Sequence, residues 1–198
     1  MRSRTPNDIS LRKICRVNLG FDPRKMVCLK RYTYCLSLGV AAAVGRQYLW
    51  DVSFWDIDIR LLKEAAKLFE GKHDFTLFCE QKKDIYLANS GLDNVLTINT
   101  IAVNVTKSRD KKIFIAFEGK SFRHKQVRKM VHAIVDIARG AKTKLEVQNQ
   151  LTVGNKGPQM PPTNPTAPAC GLTLSWIEYG DGYSDLCMKG FESALIGN

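Results

Sequence analysis

The segment from Phe117 to Gly140 constrains the fold most, because a strand-like approach runs into one long amphipathic pattern. Apolar side chains recur there at i, i+3, i+4, i+7, i+8 and i+11, a helical period sustained for about three turns. These side chains are Val127, Met130, Val131, Ile134, Val135 and Ala138. Gly140 follows the last of them, where a left-handed C-terminal cap is favoured. The pattern predicts a helix whose apolar stripe is buried.

Basic side chains occupy the positions that alternate with these apolar residues, and further basic side chains stand at the entrance of the helix. They are Arg123, His124, Lys125, Arg128, Lys129, His132 and Arg139. An ordinary solvated helix face is the commonest reason for such a set. However, the sequence holds 30 Lys and Arg against 19 Asp and Glu, a net charge of +11. This excess favours a polyanionic partner, either nucleic acid or an anionic membrane surface, and charge alone leaves both open.

Composition and residue spacing bear on membrane insertion, disulfide bonds, metal sites and targeting peptides. No apolar run approaches the ~20 residues that span a bilayer, so we expect no membrane insertion. The six cysteines form no C-x-x-C pair and predict reduced core thiols, although their even number leaves disulfides open. The three histidines lack metal-ligand spacing, so we expect neither a metal nor a cofactor. The N-terminal residues show no apolar leader, so a targeting peptide is either absent or already removed.

Period-two and helical patterns along the rest of the chain predict an α/β (α+β) protein with a mainly antiparallel mixed sheet and packed helices. The predicted strands are Ile9–Val17, Lys30–Leu38, Leu96–Val105, Lys112–Glu118 and Gly171–Tyr179, and the further predicted helices are Asp58–Phe69 and Lys142–Leu151. The third and fourth strands are predicted to form a hairpin. Along the third strand, the alternation of apolar and polar residues shifts in phase between Ile98 and Ile101. Asp74 is predicted to cap a short turn.

We interpret residues 1–198 as a single domain. Five prolines between Pro158 and Pro168 predict an extended loop over residues 153–168. The chain from residue 180 onward is weakly patterned and is predicted to be a weakly structured tail.

Five collinear blocks resemble the C-terminal half of TruA-type tRNA pseudouridine synthases. They are TPNDI (5–9) with GFDPRK (20–25), KRYTY (30–34), GKHDFTLF (71–78), FEGKSFRHKQVRKMV (117–131) and APACGLTL (167–174). Each block is short, and their shared order over most of the chain carries the resemblance. It implies the C-terminal half of the pseudouridine synthase fold.

The resemblance also implies roles for individual residues. An aromatic residue of the Tyr strand stacks on the target uracil in such enzymes, which matches Tyr32, with Tyr34 as the less favoured candidate. The arginine of the family's V-R pair, which matches Arg128, orients the catalytic aspartate. Without the resemblance, a core tyrosine and a phosphate-binding or surface arginine would be the ordinary interpretations.

The sequence departs from the family at the catalytic carboxylate. The family's R-T-D-x-G-V block lies well upstream of the position occupied by Thr5–Ile9, and no such block occurs in this sequence. Arg4 and Thr5 echo it only superficially, because Pro6 follows. Lys30 also stands where the family's strand begins with arginine, so the planar guanidinium is lost.

These observations favour a non-catalytic, pseudouridine synthase-like protein that binds RNA within a ribonucleoprotein, such as a mitochondrial ribosome subunit or an assembly factor. The predicted RNA contacts are Arg31, Arg109, Lys111, Lys112, Arg123, His124, Lys125, Lys129 and His132. The partners would be rRNA or tRNA and neighbouring proteins, with homo- and hetero-oligomers both open, in the mitochondrial matrix or otherwise the cytoplasm or nucleus. The alternative is the C-terminal half of an active tRNA pseudouridine synthase, completed by a missing N-terminal half or a separate chain. A general phosphate-binding or lipid-binding module is a third hypothesis.

Overall fold

A computed structural model describes residues 6, 8–11, 14, 16–39, 45–80, 94–108, 111–153 and 164–180. The chain forms two compact units, one of Met1–Cys28 with Ile177–Asn198 and a larger one of Leu29–Trp176. In the smaller unit, Phe21 packs edge to face on Tyr179 with ring centroids 5.3 Å apart. The larger unit holds most of the described secondary structure. The interpretation as a single domain stays a prediction.

The described residues form seven strands and three α-helices. The strands are β1 (Val27–Ser37), β2 (Trp50–Asp51), β3 (Gly71–Asp74), β4 (Val95–Ile98), β5 (Thr100–Val105), β6 (Lys112–Gly119) and β7 (Leu172–Tyr179). The helices are α1 (Ile59–Lys67), α2 (Gln126–Ala138) and α3 (Lys144–Val153), with short 3-10 turns at Arg46–Tyr48 and Thr76–Phe78. The mixed α and β composition confirms the predicted fold class.

The main sheet has the strand order β2-β1-β6-β5, and β7 also pairs with β1. Its central pair, β1 and β6, is antiparallel and places Tyr32 opposite Phe117, whereas the short β2 runs parallel to β1. The predicted hairpin is confirmed, since β5 and β6 are antiparallel. The predicted slip in phase falls at Asn99, where the chain leaves a second sheet formed by β3 and β4 and enters the main one.

One apolar cluster joins the inner face of the sheet to α1 and α2. Alternation along β1 buries Tyr34 and Leu36 completely, and the same period on β6 buries Ile113, Ile115 and Phe117. All six residues of the predicted helical stripe on α2 are buried as well. Burying each large side chain contributes about 1.5 to 3 kcal/mol, so this cluster supplies the main stabilisation of the larger unit.

Capping residues mark the start of α1, the turn after β3 and the end of α2. Asp58 accepts hydrogen bonds from the N–H groups of Arg60 and Leu61, which starts α1 where the sequence predicts it. Asp74 accepts from the N–H of Thr76 at 2.9 Å, so its predicted capping role is confirmed. Gly140 has φ +74° after α2, which is the left-handed conformation expected of a C-terminal cap.

Several predictions need correction or lie outside the described residues. The described residues between Ile9 and Val17 form no strand, and Ile9 and Ile14 are exposed, so that alternating stretch has no sheet to join among them. Neither β2 nor β3 was predicted, because both are too short to show a period. Most of the predicted loop at 153–168 and nearly all of the tail from 180 lie outside the described residues.

Four cysteines lie in the described part of the chain, and all four are free thiols. Cys28 and Cys170 are exposed, so the expectation of core thiols is wrong for these two. Within the described residues, no helix is both long enough and apolar enough to cross a bilayer.

Replacing Gly171 with alanine is expected to destabilise the protein by about 1 to 3 kcal/mol, because the added methyl group overpacks a filled core. A Cβ at this position would lie 2.7 Å from Cε1 of the buried Tyr34 ring and 2.8 Å from the carbonyl oxygen of Cys35. Thermal unfolding followed by circular dichroism measures the loss.

The matched control is Gly20→Ala, since a Cβ at Gly20 would meet nothing within 4 Å. We expect its melting temperature to stay within about 1 °C of the wild type. Equal effects of the two substitutions would show that the contact between Gly171 and Tyr34 is not tightly packed.

Candidate functional site

A cavity of about 290 Å³ lies where β1, the loop after β6 and the start of α2 meet. It is lined by Tyr32, Phe122, Arg123, His124, Lys125, Gln126, Val127, Arg128 and Leu172. Its volume is close to the ~300 Å³ at which small-molecule pockets begin. The lining combines aromatic rings with cations, a combination that suits a planar ring joined to an anionic group.

Tyr32 forms an aromatic wall of this cavity. It is half-buried on β1, and Phe122 holds its ring edge to face, with centroids 5.1 Å apart and planes at 82°. The ring is therefore braced from one side while it lines the cavity. The structure places the favoured aromatic candidate in the pocket.

Tyr34, two residues further along β1, lies in the core. Its side chain is fully buried, and its hydroxyl donates a 2.7 Å hydrogen bond to the carbonyl oxygen of Pro168. Burial raises the pKa of this phenol well above its ordinary value. Tyr34 thus ties β1 to the chain before β7, a structural role.

Arg128 lies in the first turn of α2 and is anchored by the backbone. Its Nε donates a 2.6 Å hydrogen bond to the carbonyl oxygen of Ala167, and the N–H of Ala167 donates back to the carbonyl oxygen of Arg128 at 3.2 Å. Among the described residues, no carboxylate pairs with this guanidinium, and its terminal amino groups have no hydrogen-bond partner. A fixed arginine on a cavity wall with unused donors is suited to bind an oxyanion.

The side chain of Gln126 at the start of α2 folds back onto the backbone of the preceding loop. Lys125 adopts a left-handed conformation at φ 60°, and Gln126 begins the helix directly after it. Oε1 of Gln126 accepts the N–H of Arg123 at 2.7 Å, in the manner of a capping box. This contact fixes the loop that forms the cavity's rim.

Two cations at the rim are held by one acid. Glu80 accepts from Nδ1 of His124 at 2.6 Å and from Nζ of Lys125 at 2.7 Å, and its own N–H donates to the carbonyl oxygen of His124. The hydrogen bond from Lys125, with a smaller effect from His124, lowers the pKa of Glu80. Because all three groups are partly exposed to water, an incoming phosphate can take the place of this carboxylate.

The predicted cationic flank of α2 does not all face solvent. Lys129 is only 5% exposed, donates through Nζ to the carbonyl oxygen of Cys79 at 3.2 Å, and has its pKa lowered by burial. His132 stacks on Trp50 and contacts Asp136 at 3.1 Å. These contacts arise because α2 is packed on several sides rather than along one stripe. The RNA-binding role of Lys129 and His132 stays a prediction.

The predicted RNA contacts Arg31, Lys111 and Lys112 lie apart from the cavity lining. Arg31 pairs with Glu118 across β1 and β6, with Nη2 2.6 Å from Oε1, and so its charge is internally balanced. Lys111 is exposed at the turn before β6, and Lys112 begins that strand. Arg109 lies outside the described residues. The RNA-binding role of these four residues stays a prediction.

The described residues contain no group of three or more His, Cys, Asp or Glu side chains that could hold a metal ion.

Residues 65–180 match the sequence model of the family described as tRNA pseudouridine synthase. This match covers more than half of the chain and includes the whole of α2, so the chain belongs to the tRNA pseudouridine synthase family. The predicted TruA-type resemblance is thereby confirmed.

Curated relatives carry the same family name. The chain is 31% identical over 179 residues to tRNA pseudouridine synthase A of Pyrobaculum calidifontis, a match covering 90% of this chain and 58% of the relative. It is 27% identical over 181 residues to the protein of that name from Oenococcus oeni, covering 90% and 67%, and 28% identical over 186 residues to that from Chlamydia pneumoniae, covering 93% and 64%. The chain therefore spans roughly three fifths of the length of these relatives.

Sequence reasoning missed several residues of the cavity. Phe122, Gln126 and Leu172 line it, and Glu80 holds two of its rim cations. Gln126 precedes the apolar stripe directly, which is a position from which a side chain can reach back to an entering loop. No periodic signal marks Phe122 or Glu80, because their partners lie far away in sequence.

Replacing Tyr34 with phenylalanine is expected to lower the free energy of unfolding at pH 7 by about 1 kcal/mol, because the Pro168 carbonyl loses its donor. The raised pKa of Tyr34 means that the unfolded phenol ionises first, so this contribution is lost as the pH rises above the ordinary value of about 10. Urea denaturation at pH 7 and pH 10.5 measures both effects.

Tyr32→Phe is the matched control, since its hydroxyl makes no hydrogen bond to the described residues and the stacking ring is kept. We expect it to change stability by less than about 0.5 kcal/mol at either pH. A larger loss from Tyr32→Phe than from Tyr34→Phe would contradict the assignment of Tyr34 to the core and Tyr32 to the pocket.

Proposed function

We propose that this chain is the RNA-holding part of a tRNA pseudouridine synthase, which binds the target uridine in the cavity beside Tyr32 while a region outside these 198 residues supplies the catalytic carboxylate. The observation that carries the proposal is Arg128. Its Nε is fixed on the Ala167 carbonyl, and its remaining donors face no acid among the described residues. A guanidinium held in this way is ready to orient a carboxylate and keep it ionised.

The cavity suits a base turned out of an RNA stack. Enzymes that act on a base must extrude it into a pocket and hold its ring against an aromatic or apolar surface. Tyr32 offers such a ring, braced by Phe122 at 5.1 Å, and Leu172 adds apolar surface. The aromatic wall and Arg128 line the same cavity, so base and carboxylate would meet there.

Cations around the cavity support RNA as the ligand. Lys120, His124 and Lys125 lie on the loop that forms or approaches its rim, and the chain carries a net charge of +11. Phosphates of the RNA backbone would replace Glu80 as the partner of His124 and Lys125. Binding of cations to the phosphates releases the counterions condensed on the RNA, which makes the affinity strongly dependent on salt.

The names of the relatives favour this proposal over a non-catalytic ribonucleoprotein component. The relatives described above bear an enzyme's name and extend beyond the matched region by a third or more of their length. That additional length is where the proposal locates the catalytic carboxylate. The ribonucleoprotein hypothesis has no observation of its own in the structure.

The test has two stages. Filter binding of the chain to tRNA at 50 and 200 mM salt is expected to show affinity that falls by at least about tenfold. The chain is then joined to the part of the Pyrobaculum calidifontis relative that the match leaves uncovered, and conversion of uridine to pseudouridine in tRNA is measured. We expect turnover only from the joined protein.

Two arginine variants of the joined protein separate a site residue from a surface residue. Arg128→Lys loses the planar guanidinium and is expected to lower turnover by about 100-fold, a loss typical of removing one precisely placed polar group at an active site. Arg46→Lys is the control, because Arg46 pairs with Asp51 at the surface and does not line the cavity, and it should remain within about twofold. Equal turnover of the two variants, or a chain that binds no tRNA at either salt, would refute the proposal.

A further inference from the structure

Gln126 carries an unused hydrogen-bond donor at the cavity. The residue is fully buried, it lines the cavity, and its Nε2 has no hydrogen-bond partner in the described part of the chain. Its Oε1 is already committed to the N–H of Arg123 at 2.7 Å. Since an N–H can only donate, the amide is fixed with its oxygen on the loop, and its nitrogen is the group left over.

A buried amide donor without a partner is costly. Leaving it unpaired removes its contact with water without a compensating hydrogen bond, and native proteins keep few such groups. Gln126 stands at the junction of α2 and the rim loop, where the same side chain also organises the local backbone. The unpaired donor at the cavity is therefore suited to a hydrogen-bond acceptor on a bound ligand.

We infer that Gln126 positions the target base by donating from Nε2 to a carbonyl oxygen of uracil. This inference rests on the proposed function and names a contact in the same cavity. The acceptor is an uncharged carbonyl rather than a phosphate, because the cations at the exposed rim already provide the phosphate contacts. Tyr32 then stacks on the ring's face while Gln126 binds its edge, after a small displacement of the rim side chains that cover the amide.

The binding test compares two ligands of equal charge. One is a 12-nucleotide oligouridylate, and the other is an abasic ribose-phosphate polymer of the same length. Their phosphates contribute equally, so the ratio of the two dissociation constants isolates the contribution of the base. The wild-type chain is expected to prefer oligouridylate by at least tenfold.

Gln126→Glu is the informative variant. A glutamate keeps the oxygen that accepts the Arg123 N–H but replaces the donor with an acceptor that repels the uracil carbonyl. We expect the preference for oligouridylate to fall about tenfold, and the melting temperature to fall as well because a carboxylate is placed at a buried position. The added negative charge weakens the binding of both ligands alike and cancels in the ratio.

Gln126→Met tests whether the amide acts only in the fold. It removes donor and acceptor together, so the melting temperature falls because the Arg123 N–H loses its partner, and the preference for oligouridylate falls as well. A purely structural amide would lower the melting temperature in Gln126→Met but leave the preference intact in Gln126→Glu, and that result would overturn the inference.

A measurement on the wild type removes any dependence on folding of the variants. The side-chain amide protons of Gln126 are followed by nitrogen-15 NMR during titration with each ligand. We expect them to shift with oligouridylate and not with the abasic polymer, whereas equal shifts or none would refute the contact. If the chain binds tRNA but shows no such selectivity, this inference fails and the proposed function stands. If it binds no RNA, the proposed function itself fails.

Discussion

The burial of α2 on nearly all its sides is the constraint on which the rest of the site depends. The apolar stripe packs into the core, and Lys129 and Asp136 on the remaining flanks are also buried. A helix held in this way cannot rotate or slide without opening the core, so its first turn is a rigid platform. Gln126 and Arg128 both extend from that turn, so the packing of α2 in the core fixes their positions.

Net charge is a poor guide to which cations are available. Of the cationic residues on or next to α2, Lys129 is buried and Arg139 pairs with Asp136 and lies over the Trp55 ring at 4.3 Å. His124 and Lys125 share Glu80. Arg128 differs from the paired residues because no described carboxylate contacts it, and from Lys129 because its side chain is only partly buried. The distinction between a surface charge and a site charge therefore comes from pairing, which depends on contacts distant in sequence.

Local patterns predicted the elements whose signals are periodic. The alternation of β1, the three helices and the hairpin of β5 and β6 all follow from spacing and capping residues. The short β2 and β3 escaped prediction because two to four residues show no period, and the exposed stretch around Ile9 imitates a strand without a neighbour to pair with. Tertiary contacts determine such cases.

The site was predictable in part. Tyr32 and Arg128 came from the resemblance and share one cavity, and the separation of Tyr32 from the buried Tyr34 required the fold. The roles of Phe122 and Glu80 arise from contacts between segments distant in sequence, such as that of Phe122 with Tyr32 and that of Lys125 with Glu80. No single-sequence period encodes these contacts.

The central claim is that Arg128 is prepared for a carboxylate that this chain does not itself provide. A crystal structure of the chain joined to the remaining region of a relative tests it most directly, through the distance from the Arg128 guanidinium to the nearest incoming carboxylate. The account predicts an ion pair within about 4 Å at the cavity beside Tyr32. An Arg128 that stays bound only to the Ala167 carbonyl, with the incoming carboxylate placed elsewhere, would contradict it.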